Sequence, residues 1–225
     1  MKLTSHQKLI PFSIINAFLF ISTIIVTIVT LSFGTVAGQV DTGTTEGWFY
    51  IATFTVDSNI LLGIVAFISL ILALNSLSSK KPLPKIVPTL YLIATATTVL
   101  TFLTVLLYLA PIRALNGRNY FDMFLGPMFF FHFFNPVIAT INLIFFTDGD
   151  KLTLKSRILS LLPFLIYAIP YCINVVFLKT WPDFYGVTFG GQYIFLPLVL
   201  LLFSSIIFII SSFLAYCHNR RLALK

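Results

Sequence analysis

Residues 9 to 33 read LIPFSIINAFLFISTIIVTIVTLSF and carry no charged side chain. A bilayer's hydrocarbon core is about 30 Å thick, so a helix rising about 1.5 Å per residue needs about 20 apolar residues to cross it. This run is about 25 residues long. The apolar core of a secretory leader is only about 7–15. The stretch therefore reads as a retained transmembrane helix.

Five more runs of the same kind follow. The expected spans are about 9–33, 48–77, 86–111, 124–146, 158–179 and 193–217. Open strands cannot cross lipid, because each unpaired backbone group costs several kcal/mol there. The runs are also too long and continuous for barrel strands. The expected fold is all-α: a polytopic membrane bundle of six transmembrane helices, forming one integral-membrane domain over residues 1–225. Composition agrees. The chain is 58% hydrophobic and 9% charged, against about 45–50% and about 25% in soluble domains. Its mean hydropathy is +1.00.

The breaks between spans carry turn chemistry. GTVAGQVDTGTTEG separates the first two, and SSKKPLPK ends the second with two prolines. ALNGRNYFD, TDGDKLTLKSR and TWPDFYGVTFGGQ form the rest. Such short connections make successive helices antiparallel neighbours. Pro136, Pro163, Pro170 and Pro197 fall within spans and are expected to kink them.

A net charge of +7 and a pI near 9.5 invite a nucleic-acid reading. The distribution argues against it, since the basic residues sit in short clusters between apolar runs. Eleven lie at the end that carries both termini: Lys2, Lys8, Lys80, Lys81, Lys85, Lys151, Lys155, Arg157, Arg220, Arg221 and Lys225. Three lie at the other end: Arg113, Arg118 and Lys179. The positive-inside rule then puts both termini in the cytoplasm, with the cell membrane and its lipids as surroundings. Trp48, Tyr50, Tyr108, Trp181, Tyr185 and Tyr193 are placed as an outer aromatic belt. Cys172 and Cys217 fall towards opposite faces, too far apart for a disulfide. No Cys/His spacing suits a metal, and no cofactor is expected.

Polar residues inside spans are the functional signal. The second span contains FTVDSN. Thr55, Ser58 and Asn59 share one helical face, while Asp57 points about 200° away from Thr55. Counted from Trp48, Thr55 lies about 10 Å deep. Counted from Phe124, His132 lies about 12 Å deep in the fourth span, with Asn135 on its face. Tyr171 and Asn174 reach this level from the fifth span, and Thr101 and Thr104 from the third. Each residue has an ordinary alternative. Intramembrane Thr often bonds its own helix carbonyl, and Asn bridges helices. Asp183 in WPDFYG is expected to make a turn among belt aromatics, with a lid over the pocket as the alternative. An acid and an imidazole in a span nonetheless favour a buried polar site, because ionisable groups there face the bundle interior.

FTVDSN in the second span and HFFNP in the fourth resemble the androgen-induced membrane hydrolases and their bacterial relatives. The resemblance implies six helices with cytoplasmic termini and a threonine hydrolase acting on fatty-acyl esters of hydroxy fatty acids. It implies Thr55 as nucleophile, in a T-x-x-S-N pattern with Ser58 and Asn59, and His132 as the base in H-x-x-x-P with Pro136. Asp57 falls one residue short of the family's acid spacing. In such chemistry Asn59, Asn135 or Asn174 would stabilise the oxyanion, and the group orienting His132 is unassigned. The main competing class is a small-solute transporter or ligand-binding protein using the same pocket, and a third is a structural membrane subunit with no site of its own.

Overall fold

The computed structural model describes residues 5–33 and 47–224. Lys2, Lys225, most of the first loop and the side chain of Trp48 lie outside the described residues. The described residues are all-helical and contain no strand. Six helices are long and apolar enough to cross a membrane: α1 (His6–Phe33), α2 (Phe54–Ser79), α3 (Val87–Leu115), α4 (Pro127–Phe146), α5 (Leu154–Phe177) and α6 (Tyr193–Ala223).

Two boundaries differ from expectation in a way that matters for the site. The second span begins at Phe54 rather than 48. Gly47–Ala52 forms a 3₁₀ turn and Thr53 is extended, with its own hydroxyl bonded to the Tyr50 carbonyl at 2.7 Å. Thr55 thus sits in the first turn of α2, and its depth cannot be counted along a straight helix from Trp48. The fourth span begins at Pro127, after a 3₁₀ turn over Tyr120–Phe124.

The central helix is α3, which packs against α2, α4, α5 and α6. Its apolar window is 56% buried, against 22% for α6 on the periphery. The α1–α2 pair is close because Gly63 has no side chain. A Cβ there would lie 2.9 Å from Thr23 Cγ2, shorter than carbon atoms tolerate.

Prolines shape the helices locally. Pro136 has no N–H to offer the His132 carbonyl four residues back. The chain answers with a wide π-helical turn over Phe130–Phe134, in which the Asn135 amide donates to the Phe130 carbonyl. A similar turn over Val105–Leu109 precedes Pro111. Pro163 and Pro197 sit in the first turns of helical segments, and Pro170 lies inside one. Wide turns of this kind are frequent at functional sites.

At the end bearing His6 and Ala223, Arg221 donates to the Asp148 carboxylate and to the Thr147 carbonyl. Lys8 reaches Asp148 at 3.8 Å. The Asn219 side chain pairs with both backbone groups of Leu152, at 2.8 and 2.9 Å. These contacts bind the α4–α5 connection to α6.

Candidate functional site

Two adjoining cavities lie at the opposite end of the bundle. The larger, about 60 Å³, runs between α3, α5 and α6 and is walled by apolar groups such as Leu100, Val105, Phe164 and Phe203, with Thr101 and Thr104. The smaller, about 50 Å³, is bounded by Tyr50, Met123, Met128 and His132. Thr55, Leu109 and Tyr185 line both, so they stand at the junction. Each volume suffices for a few waters or a short stretch of methylenes.

Thr55 and His132 therefore border one cavity, contributed by different helices. Both are buried, at 8% and 2% exposure. No direct hydrogen bond joins them among the described residues. The imidazole is fixed from behind: Nδ1 lies 2.6 Å from the Met123 carbonyl oxygen. A carbonyl only accepts, so Nδ1 carries the hydrogen. In the neutral ring Nε2 is then the acceptor nitrogen. The wide turn that Pro136 imposes contains His132, and the 3₁₀ turn before α4 supplies Met123.

The second organising group is Tyr185. Its hydroxyl accepts the Phe54 amide at 2.8 Å, at the positive end of α2. Burial pushes the phenol up to about 12, while hydrogen bonding with Phe54, Tyr167 and Thr55 pulls against that shift. It remains protonated at neutral pH and keeps a donor hydrogen. Tyr167 in turn donates to the Ala52 carbonyl at 2.8 Å.

Asp183 holds the loop that carries Tyr185. Its carboxylate accepts the Tyr171 hydroxyl at 2.6 Å and the amides of Val187 and Thr188 at 3.0 and 2.8 Å. Burial acts to raise this carboxyl. The bonds from Tyr171, Thr188 and Val187 outweigh it and hold the group below its usual range. The Tyr185 carbonyl accepts the Tyr108 hydroxyl at 3.2 Å, and Phe49 stacks edge-on to Trp181 at 6.5 Å. Within WPDFYG, Phe184 and Tyr185 thus line the smaller cavity, and Tyr185 the larger as well.

The other residues singled out by the sequence take different places. Ser58 bonds the Thr55 carbonyl and the Thr101 hydroxyl, both at 3.1 Å, beneath the site. Asn59 and Asn135 form a fully buried chain across three helices. Asn59 donates to the Thr55 and Phe131 carbonyls at 2.9 and 3.3 Å, Asn135 donates to the Asn59 oxygen at 3.0 Å, and Ser22 donates to Asn135 at 3.4 Å. Tyr171 borders the large cavity. Asn174 does not: it is half-buried, bonding the Pro170 carbonyl and the Thr180 hydroxyl at the end of α5. Asp57 is half-buried on another face of α2. It borders neither cavity, and its place in the first turn suits the helix dipole.

Three groups at the site carry no motif: the Met123 carbonyl, Tyr167 and Tyr185. A backbone carbonyl leaves no trace in composition, and tyrosines near a membrane boundary read as belt residues. Cys172 borders the large cavity, and both cysteines are free thiols. Among the described residues no group of three His, Cys, Asp or Glu side chains could hold a metal. No family model matches the chain, and neither a curated protein nor a solved structure matches it significantly.

Proposed function

We propose that the protein is an integral-membrane hydrolase of a lipid or fatty-acyl ester, with Thr55 as nucleophile and His132 as base. One observation carries the reading: Thr55 borders the same small cavity as an imidazole whose Nδ1 is tied to a carbonyl, leaving Nε2 to accept. The resemblance of FTVDSN and HFFNP to threonine hydrolases points the same way. The positive-inside rule supports a cytoplasmic placement of the lysine-rich end, with the site in the outer leaflet.

In this reading the methylenes next to the ester occupy the larger apolar cavity, the rest of the acyl chain extends beyond it between the helices, and the ester carbonyl rests at the junction. Nε2 of His132 takes the Thr55 proton, directly or through one water, as the hydroxyl oxygen attacks the carbonyl carbon. The tetrahedral intermediate collapses, the alcohol leaves with the proton from His132, and an acyl-threonine remains. Water, deprotonated by the same Nε2, then releases the fatty acid and restores the threonine. The Asn59 and Asn135 amides are engaged with each other and with carbonyls. The oxyanion role therefore passes to the Tyr185 hydroxyl, at the positive end of α2.

A fluorophosphonate probe tests the assignment in purified protein. Labelling at Thr55 that is lost in both Thr55→Ala and His132→Ala, with unchanged thermal unfolding, supports it. Absence of labelling together with substrate-dependent flux in proteoliposomes would replace it with transport through the same pocket.

A further inference from the structure

The lysine-rich end of the bundle contains a cleft of about 760 Å³, separate from the cavities around Thr55. Its walls carry Lys80, Lys81 and Lys85 from the α2–α3 connection, Lys151 from the α4–α5 connection, and His6 from the start of α1. Two carboxylates, Asp148 and Asp150, face the same space. Asp148 is held at the floor by Arg221 and Lys8. Asp150 pairs with Lys85 at 3.5 Å on the exposed rim. Among the described residues no ion pair joins Lys80, Lys81 or Lys151 to a carboxylate. An orientation signal requires lysines at this end of the bundle, but it does not require them to surround one cleft.

The walls are also fixed. Gly149, at φ +143°, lies so close to α3 that a Cβ would meet Pro88 Cγ at 2.8 Å. The Thr89 and Ser156 hydroxyls bond at 2.9 Å and tie α3 to the start of α5. Leu152 is pinned to Asn219. Lys80 adopts the left-handed conformation (φ 55°) that ends α2 and turns the chain into the wall. The cleft lies where the membrane-length helices end.

We propose that this cleft binds a phosphate-bearing anion of two or more charges, with Lys80, Lys81 and Lys151 as its contacts. Basic pockets between helices at a membrane surface suit phosphorylated headgroups, and the volume falls within the usual range for small-molecule sites. The same chemistry would serve a lipid headgroup entering from the bilayer or a soluble phosphate compound.

The test uses the full chain in nanodiscs of phosphatidylcholine with and without phosphatidic acid, read by native mass spectrometry. Inorganic pyrophosphate, titrated by calorimetry in neutral detergent, forms the second arm. The triple substitution Lys80→Gln, Lys81→Gln, Lys151→Gln is expected to weaken binding about a hundredfold, at about fivefold per lysine. Lys155→Gln, at the same end but outside the cleft, is expected to leave it unchanged. Asp150→Asn removes a rim carboxylate and is expected to tighten binding, a gain that misfolding cannot mimic. Dependence seen with phosphatidic acid assigns a lipid; dependence seen only with pyrophosphate assigns a soluble ligand. Equal behaviour of the triple variant, Lys155→Gln and wild type in both arms overturns the proposal.

Discussion

The Tyr185 hydroxyl accepts the Phe54 backbone amide at 2.8 Å, joining the α5–α6 loop to the first turn of α2. A helix start leaves its first amides without partners inside the helix, and here a side chain 131 positions away supplies one. The nucleophile candidate is the next residue, so its position depends on a bond it does not make. Tyr185→Phe keeps the ring and removes the acceptor. The buried amide left behind is expected to cost about 1–3 kcal/mol in unfolding free energy. In the proposed reaction the same variant is expected to lower labelling rates about 10²–10³-fold, as loss of an oxyanion donor does. Equal rates in variant and wild type would remove Tyr185 from the reaction.

The loop bearing Tyr185 is expected to loosen in acid. Asp183 has its carboxyl held below the usual range in the folded protein. Its stabilising contribution is therefore complete above the unfolded value, near 3.9, and is lost as pH falls through the lower folded value. Protection of the Val187 and Thr188 amides from hydrogen exchange, relative to their intrinsic rates, should stay high at neutral pH and fall below about pH 4. Asp183→Asn should weaken protection at neutral pH and abolish that acid dependence, since one of its two oxygens becomes a donor.

The buried amide chain predicts a modest effect. Asn135→Ala removes the donor to the Asn59 oxygen and the acceptor for Ser22. Bonds between membrane helices average about 0.6 kcal/mol and reach about 1.7. A loss of about 1–2 kcal/mol in a denaturing-detergent titration is expected from the two together. A much larger loss would mean that Asn135 does more than bridge helices.

The α1–α2 contact offers a test by paired substitution. Gly63→Ala places a methyl 2.9 Å from Thr23 Cγ2, and a β-branched side chain has little freedom to turn aside. Overpacking of this kind costs about 1–3 kcal/mol. Adding Thr23→Ala removes the offending methyl and should recover much of the loss. Additive costs in the double variant would place the strain elsewhere.

The six helices are legible from the sequence because about twenty apolar residues have one stable outcome in lipid. The start of α2 is not, because the residues from Trp48 to Ala52 are apolar enough to extend the span and nothing in them separates a 3₁₀ turn from an α-helix. The face shared by Thr55, Ser58 and Asn59 is legible from helical periodicity, and all three are buried. The division of labour among them is not. Whether an amide points into a cavity or spends its hydrogens on a neighbouring carbonyl depends on a second helix that periodicity does not locate. The same limit hides Met123, whose contribution is a peptide oxygen, and Tyr185, whose importance comes from a turn that Asp183 ties. Asn174 shows the opposite error. Its number places it near the site's height, but α5 ends there and the side chain closes the helix.

The wide turn at Phe130–Phe134 has a consequence for comparing sequences. Such a turn holds one residue more than an α-helical turn, so side chains before it are rotated by about 100° relative to an unbroken helix. The bearing of the imidazole is set by the turn's width together with the residue count to Pro136. Two chains whose histidine-to-proline gaps differ by one can aim the ring at the same place if one uses the wide turn and the other does not. Gap length in this segment is thus a poor guide to kinship, and alignment of the ring itself in space is the better one.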